Sequence, residues 1–248
     1  MTAPSHAVLS VAGVSKRFGG LVAIDDLEFE VSQHEMVGII GPNGSGKTTM
    51  MNLISGALKP SLGTITLHGR RIENLPPQTI SRLGVGRTFQ LVRLLPSLTV
   101  IENVKAGAVF GYRQRWGTQA DQFAQHMLQR VGLESAGNTP ITSLTYIDQK
   151  RVELARALAG EPNLLLLDEW LAGLNPTELQ TGIELIHALR DEGRTVILVE
   201  HVMDAIRSLC DRCVVMASGG KIAEGSPDTV LADPDVVRAY LGDDDAHS

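Results

Sequence analysis

Short runs of apolar residues, separated by turn-rich segments, predict that the chain begins with β-strands. The first three runs extend over Leu9 to Val14, Leu27 to Val31 and Met36 to Ile40, and the second alternates apolar with acidic residues. Thr64 to Leu67 is a β-branched run, and Gly84 to Phe89 has the character of another short strand. The pattern therefore indicates a β-rich first segment.

The middle of the chain, from about residue 91 to residue 160, changes to an interrupted helical pattern. Leu, Val, Met and Ala recur at helical spacing over Asp121 to Val131 and over Gln149 to Ala159. From Asn163 onward, strands and helices alternate again. Leu164 to Leu167 is fully apolar, as expected of a central parallel strand covered on both faces, and Thr195 to Val199 is the next buried strand.

A helix is predicted over Pro176 to Arg190, because proline suits the first turn and Asn175 can cap the helix N-terminus. The order of these elements predicts an α/β fold in which a parallel sheet is wrapped by helices and a helical segment is inserted. The remaining predicted elements are Val202 to Leu209, Cys213 to Ala217, Lys221 to Glu224, and two short terminal helices, Pro227 to Leu231 and Pro234 to Leu241.

Composition is that of a soluble globular chain, with 43% hydrophobic and 20% charged residues. No apolar run approaches the roughly 18 residues of a membrane span, and the N-terminus lacks the apolar core of a signal peptide. We therefore expect any membrane role to depend on a partner. The formal net charge of −6 argues against bulk nucleic-acid binding. Part of this charge lies in Asp243 to Asp245, which we expect to be a solvated, frayed end.

The two cysteines, Cys210 and Cys213, allow two interpretations. They could form a redox pair or half of a metal site. Because no second pair or histidine cluster lies nearby, we favour two small buried apolar residues at a helix-to-strand junction. Such sparse use of cysteine fits a reducing cytoplasm.

The segment Gly41-Pro42-Asn43-Gly44-Ser45-Gly46-Lys47-Thr48-Thr49 carries the strongest chemical signal. It follows an apolar strand and leads into an apolar helix, the context in which GxxxxGK[ST] cradles phosphate rather than forming an ordinary glycine-rich turn. Glycines allow consecutive N–H groups to face inward, and the helix N-terminus adds positive potential. We expect Lys47 to reach the β- and γ-phosphates of a nucleoside triphosphate and the Thr48 hydroxyl to ligate Mg²⁺.

A second signal follows the apolar run Leu164 to Leu167, which ends in Asp168-Glu169. The strand delivers Asp168 to its carboxyl end, where ligands gather in open α/β sheets. Asp168 would hold Mg²⁺, and Glu169 would orient or deprotonate an attacking water. The alternative for an Asp-Glu pair after a strand is a helix N-cap.

With these motifs in the same order, the chain resembles the nucleotide-binding subunit of an ABC transporter over nearly its full length. The resemblance implies a P-loop NTPase core, an N-terminal antiparallel β subdomain and an inserted α-helical subdomain. It assigns Phe18 to stacking on adenine, Gln90 to contacts with Mg²⁺ and the attacking water, and His201 to the γ-phosphate. Residues 172–176 fill the position of the loop that crosses the dimer interface. The implied division of 1–248 is a core of 1–90 and 161–248 around a helical subdomain of 91–160.

Further motifs resemble the importers of branched-chain amino acids and related amides. They are Gly84 to Gln90, Leu95 to Val104 and the closing Val236 to Gly242. Lipopolysaccharide-export ATPases share much of these sequence motifs, so export remains an alternative function at this point. In the family, the region just after Gln90 receives the coupling helix of the membrane subunit.

The family's signature sequence is altered here. It spans Leu144 to Arg151, and Ile147 replaces the glycine whose backbone usually approaches the partner's γ-phosphate. A β-branched residue is strained if φ is positive, so either the backbone adopts a compatible conformation or engagement of the partner's ATP is weakened. The residues that the resemblance assigns to that nucleotide are Thr145, Tyr146, Ile147, Asp148 and Gln149.

The second departure is Trp170, where a proline commonly follows the catalytic glutamate. Tryptophan restores an N–H donor and releases φ, which could change how Glu169 is aimed. Lys47, Gln90 and His201 are all retained beside the acidic pair, so we expect hydrolysis to be retained as well.

The resemblance therefore predicts an ATPase subunit at the cytoplasmic face of the inner membrane, with ATP and Mg²⁺ as ligands. Its expected partners are a second nucleotide-binding subunit, identical or homologous, integral membrane permease subunits and, indirectly, a solute-binding protein; nucleic acid is not expected. One alternative is a soluble ABC ATPase that remodels DNA or ribosomes, which usually needs a coiled coil or second nucleotide domain. Another is a binding-only regulatory subunit, suggested by Ile147 and Trp170.

Overall fold

The computed structural model describes residues 7–241, so Gly242 of the closing motif and the Asp243 to Asp245 tail lie outside the described residues. A four-stranded antiparallel sheet has the order β2-β1-β4-β5. Its strands are β1 (Ala7–Phe18), β2 (Leu21–Ser32), β4 (Leu62–Leu67) and β5 (Arg70–Arg71). This is the predicted antiparallel β region, and β1 and β2 extend beyond the predicted bounds because their pairing continues past several register shifts.

A six-stranded sheet forms the centre of the molecule, in the order β10-β9-β3-β8-β7-β6. All neighbours are parallel except β9 and β10, which pair antiparallel. The predicted interior position of the Leu164 to Leu167 run is confirmed, because β7 lies between β8 and β6. The strands are β3 (Met36–Ile40), β6 (Val85–Arg87), β7 (Leu164–Asp168), β8 (Val196–Val199), β9 (Arg212–Ala217) and β10 (Gly220–Gly225).

Nine α-helices lie within the described residues. The predicted cap of α6 is confirmed: the Asn175 side chain accepts from the N–H groups of Thr177 and Glu178, and Glu178 bonds back to the Asn175 N–H. The helices are α1 (Lys47–Ile54), α2 (Pro77–Arg82), α3 (Val100–Phe110), α4 (Gly117–Arg130), α5 (Tyr146–Ala159), α6 (Pro176–Asp191), α7 (Met203–Leu209), α8 (Pro227–Leu231) and α9 (Pro234–Leu241).

Two hydrophobic cores cover the two faces of the central sheet, because successive strand residues point to opposite sides. On β7, Leu164 and Leu166 belong to the core shared with the antiparallel sheet and α1. Leu165 and Leu167 belong to the core shared with α3, α4 and α5. None of the helices in residues 7–241 has the length and apolar character that crossing a bilayer requires.

The two cysteines are buried where α7 gives way to β9, as the favoured interpretation predicted. Both thiols lie against Gly38 of β3, where a Cβ would come 3.0 Å from Cys210 Sγ and 3.1 Å from Cys213 Sγ. A hydrogen bond to Cys213, together with burial, raises the pKa of the Cys210 thiol. The two cysteines therefore serve as small buried side chains packed against Gly38.

Candidate active site

Three neighbouring strands of the central sheet bring the predicted site residues to one edge. β3, β8 and β7 are adjacent and parallel, so their carboxyl ends lie side by side. The glycine-rich loop follows β3, Glu200 and His201 follow β8, and β7 ends at Asp168 with Glu169 next. Segments far apart in the chain thus meet at the edge where ligands bind in α/β sheets.

The glycine-rich loop has a backbone that two of its glycines make possible. Gly41 has φ 148°, and a Cβ there would lie 2.0 Å from Met216 O. Gly46 has φ 104°, and a Cβ there would lie 2.6 Å from Ala23 O. α1 begins directly afterwards with no side-chain cap and no acidic residue in its first turn. Its first N–H groups are therefore left for an anion.

Lys47 is the first residue of α1, directly after the glycine-rich loop, and is 5% exposed. Its Nζ donates to Gly41 O at 2.8 Å and to Pro42 O at 2.9 Å. Burial lowers the pKa of Lys47, while the nearby charges of Glu169 and Asp168 oppose that shift. The ammonium is therefore held between the loop carbonyls and the acidic pair. Of the other loop residues, Asn43, Gly44 and Thr48 are exposed, Ser45 is buried and Thr49 is half-buried.

Glu169 joins two other residues predicted to be catalytic. Gln90 Nε2 donates to Glu169 Oε2 at 2.6 Å, and His201 Nε2 lies 3.0 Å from Glu169 Oε1. The backbone of Glu169 has φ 49°, which is uncommon outside glycine and often marks functional sites. Its N–H donates to Val199 O at 2.9 Å, which fixes the residue beside the end of β8.

Asp168 is paired with Arg87, a residue for which no role was predicted. Arg87 Nη2 donates to Asp168 Oδ2 at 2.8 Å, and the same guanidinium donates to Asn52 Oδ1 and Ser55 Oγ of the α1 segment. Burial raises the pKa of Asp168, and the Arg87 charge opposes this. Asp168 Oδ1 is buried with no hydrogen-bond partner among the described residues. An orphaned carboxylate oxygen suits a hard cation.

The signature segment forms the start of α5. Thr145 is the N-cap, and its hydroxyl accepts from the Asp148 N–H at 3.3 Å and donates to Asp148 Oδ2 at 2.7 Å. Ile147 lies in the first turn with no positive φ and its side chain is buried. The strain expected for a β-branched residue with positive φ therefore does not arise, because Ile147 has the right-handed helical conformation. Tyr146 is 44% exposed, and Gln149 Nε2 donates to Leu144 O at 3.2 Å.

Trp170 is fully buried directly after the catalytic candidate Glu169. Its indole N–H donates to Lys150 O of α5 at 3.3 Å. The ring lies against Gly182 of α6, where a Cβ would come 3.1 Å from Trp170 Cζ3. Glycine at that helix position therefore makes room for the indole.

Phe18 lies at the end of β1 and is 44% exposed, with Lys16 Nζ 4.9 Å from its ring centre. It contacts none of the loop residues in a hydrogen-bonded or ring-stacked pair. The same hairpin does touch the site, because Ala23 of β2 approaches Gly46 and the Asp25 N–H donates to Gly219 O at 2.9 Å. The Phe18 ring is therefore exposed at the turn of a hairpin that reaches the glycine-rich loop at Ala23.

A groove of about 440 Å³ lies between β6, α2, α3 and α5, next to the loop that carries Gln90. Its wall combines apolar side chains with guanidinium groups, among them Ile80, Phe89, Phe110, Arg93 and Arg156. Leu91 is 76% and Leu95 48% exposed, so neither is a core residue. The segment after Gln90 therefore presents apolar surface to solvent.

Comparison with known proteins identifies the class. The profile of a family described as ABC transporter matches residues 24–172, and one described as branched-chain amino acid ATP-binding cassette transporter matches residues 221–246. The chain is 42% identical over 253 residues to the high-affinity branched-chain amino acid transport ATP-binding protein LivG of Salmonella typhimurium, covering 96% of this chain and 99% of LivG. It is 39% identical over 256 residues to BraF of Pseudomonas aeruginosa, of the same description, with 96% and 99% covered.

Solved structures agree with this assignment. An ATP-binding cassette of an ABC transporter in its ADP conformation has a TM-score of 0.86 at 30% identity, covering 96% of this chain and 99% of its own. A dimeric cassette in a post-hydrolysis state, bound to ADP and Pi, has a TM-score of 0.80 at 28% identity, with 88% and 98% covered. The chain belongs to the ABC transporter family. The resemblance and the fold predicted from the motifs are confirmed.

Proposed function

We propose that this chain is the ATP-binding and ATP-hydrolysing subunit of a transporter that takes up branched-chain amino acids or related amides through partner membrane subunits. The observation that carries the proposal is the meeting of Gln90, Glu169 and His201 beside the glycine-rich loop and Asp168. The identity to LivG over nearly the whole chain supports the class of solute.

The loop amides and Lys47 bind the β- and γ-phosphates of ATP, and Phe18 stacks on adenine. Thr48, Gln90 and Oδ1 of Asp168 would hold Mg²⁺, which would neutralise charge on the phosphates. No cluster of three or more His, Cys, Asp or Glu side chains within residues 7–241 could hold a metal ion by itself. The cation would therefore be shared with the triphosphate.

Hydrolysis is assigned to the residues that surround the γ-phosphate position. Glu169 orients the attacking water and accepts its proton, with Gln90 fixing the water from the other side. Lys47 and His201 stabilise the charge that develops on the transferred phosphoryl group. The two contacts now made by the Glu169 carboxylate hold it between Gln90 and His201, where the water would enter.

The active form is a dimer in which each subunit covers the other's ATP with residues 145–149. The dimeric cassette among the structural relatives supports this arrangement. In this chain the N-terminal N–H groups of α5 and the Thr145 hydroxyl would face the partner's γ-phosphate. The Thr145 hydroxyl is shared with Asp148, so the backbone N–H groups carry more of that contact.

The groove beside Gln90 is where membrane permease subunits dock, which makes the chain a peripheral protein at the cytoplasmic face of the inner membrane. Exposed Leu91 and Leu95 and the apolar groove wall support docking there. Residues 91–160, which contain α3 to α5, form the inserted helical subdomain of a single nucleotide-binding domain, and residues 1–90 and 161–248 form its core.

Reconstitution of the chain with its co-purifying membrane subunits tests the proposal. Proteoliposomes that contain ATP on the side of this subunit should take up labelled leucine or a related amide, and Lys47→Ala should abolish uptake. Uptake of neither class, or movement of a lipid out of the membrane instead, would contradict the import assignment. Uptake that persists with Lys47→Ala would contradict the role given to this chain.

A further inference from the structure

Two oppositely charged residues lie one turn apart on α5, and both are completely buried. Lys150 and Glu153 are each 0% exposed. Burying a charge costs several kcal/mol unless it is paired and hydrogen-bonded, so each residue must have partners that fix it. Those partners belong to the two loops that carry Gln90 and Glu169.

Lys150 is bonded to the loop of Glu169. Its Nζ donates to Trp170 O at 2.9 Å and lies 3.4 Å from Glu169 O. The Trp170 indole returns a hydrogen bond to Lys150 O at 3.3 Å, so helix and loop are tied in both directions. Buried Glu200 accepts from the Leu171 N–H at 2.6 Å, which fixes the next peptide of the same loop.

Glu153 is bonded to the loop of Gln90. Its carboxylate accepts from the Phe89 N–H at 3.2 Å and from the Arg93 N–H at 2.8 Å. These two amides lie on either side of Gln90 in the chain. The Glu153 carboxylate therefore fixes the backbone from which the Gln90 side chain extends. Arg156 provides a counter-charge at 3.5 Å.

From these contacts we infer that Lys150 and Glu153 are positioning residues which hold Glu169 and Gln90 in register with the start of α5. The inference rests on the proposed hydrolysis. The start of α5 is the segment that covers the partner's nucleotide, and its Tyr146 ring lies beside Gly173, where a Cβ would come 3.6 Å from the ring. When α5 binds the partner's nucleotide, it therefore aligns Glu169 and Gln90, which act on the nucleotide bound to their own subunit.

ATP hydrolysis by the assembled transporter tests the inference, with Lys150→Gln and Glu153→Gln as the main variants. Each should lower kcat by about 10- to 100-fold, the cost of a misplacement near 1 Å, while KM for ATP and nucleotide affinity of the isolated subunit stay within about twofold. Trp170→Phe, which removes the indole donor and leaves a smaller buried ring, should lower kcat by a smaller factor. Lys150→Arg keeps the donor and should recover part of the lost kcat.

Lys105→Gln is the matched control, because Lys105 pairs with Asp121 on the surface of the helical region. It should leave kcat unchanged. A kcat within about threefold of wild type for folded Lys150→Gln and Glu153→Gln would overturn the inference. The inference would also be overturned if Lys150→Gln, Glu153→Gln and Trp170→Phe all lost enough nucleotide affinity or thermal stability to explain their lost turnover. If the wild-type complex itself does not hydrolyse ATP, it is the proposed function that fails.

Discussion

Arg87 and Asp168 form a buried ion pair in which Nη2 lies 2.8 Å from Oδ2 and the side chains are only 6% and 2% exposed. β6 and β7 are neighbours in the sheet, so residues 81 positions apart come together. Arg87 holds one carboxylate oxygen and leaves the other without a partner among the described residues. The pair therefore fixes the Asp168 carboxylate through one oxygen and leaves the other without a protein hydrogen bond.

Arg87→Met should lower the free energy of unfolding by about 3 kcal/mol, because it leaves the Asp168 charge buried and unpaired. Urea unfolding of the isolated subunit measures this. The double variant Arg87→Met with Asp168→Asn should recover part of the loss, since the two sites interact. Additive losses in that cycle would contradict a direct pair.

Gly182→Ala should destabilise the chain by about 1–3 kcal/mol even though alanine favours helices. A Cβ there would lie 2.7 Å from Leu171 Cδ2 and 3.1 Å from Trp170 Cζ3, so the packed loop must shift. Thermal unfolding measures the loss, and Gln180→Ala at an exposed position of α6 should show none. Equal stability of the two variants would mean that the indole is not packed on Gly182.

Stability should depend on pH through Glu200. Burial raises the pKa of Glu200 from its ordinary value of 4.5 to about 7. Between these values the folded chain keeps a proton that the unfolded chain releases, so the free energy of unfolding falls as pH rises from about 4.5 to about 7. Relative to Glu200→Gln, wild type should lose about 3 kcal/mol over that range.

Denaturant unfolding at several pH values measures this difference. Glu184→Gln, at an exposed position of α6, is the matched control and should keep the wild-type pH dependence. Parallel curves for wild type and Glu200→Gln would contradict the assignment of the buried proton to Glu200.

Ile147→Gly should weaken ATP-dependent dimerisation, because losing a buried side chain and gaining a glycine loosens the first turn of α5, which is proposed to meet the partner's nucleotide. Sedimentation of the protein in a Glu169→Gln background, where turnover is blocked, measures the association. The variant should also lose about 3 kcal/mol of stability from the buried side chain and from helix propensity. ATP affinity of the isolated subunit should be unchanged.

Ile101→Gly is the matched control, because it also replaces an isoleucine in the first turn of a helix, α3, away from the partner's nucleotide. It should leave ATP-dependent dimerisation unchanged. A large loss of monomer affinity for ATP in Ile147→Gly would contradict the placement of this residue at the partner's site.

Continuous apolar runs predicted the central sheet well, because a strand buried on both faces has no polar residue to interrupt it. The Leu164 to Leu167 run became β7, and the acidic pair at its end lies where expected. Helix α3 was not predicted as a separate element, although Thr99 and Glu102 form a capping box at its start. Thr followed three residues later by Glu was the available signal.

Other parts of the site depend on contacts that no local pattern contains. The pairing of Arg87 with Asp168 requires the order of strands in the sheet, which the sequence did not specify. Lys150 and Glu153 carry charges, and composition alone favours an exposed position for them. Their spacing of three residues on the apolar face of α5 was the one signal that they are buried together.

ATP turnover by the reconstituted complex, with wild type compared directly with Glu169→Gln, tests the central claim most directly. If Glu169 is the base for the attacking water, wild type should hydrolyse ATP with stimulation by the transported solute. Glu169→Gln should bind ATP with unchanged affinity and turn over at least about 100-fold more slowly. Wild-type turnover that cannot be distinguished from that of Glu169→Gln would contradict the account and favour a subunit that binds ATP without hydrolysing it.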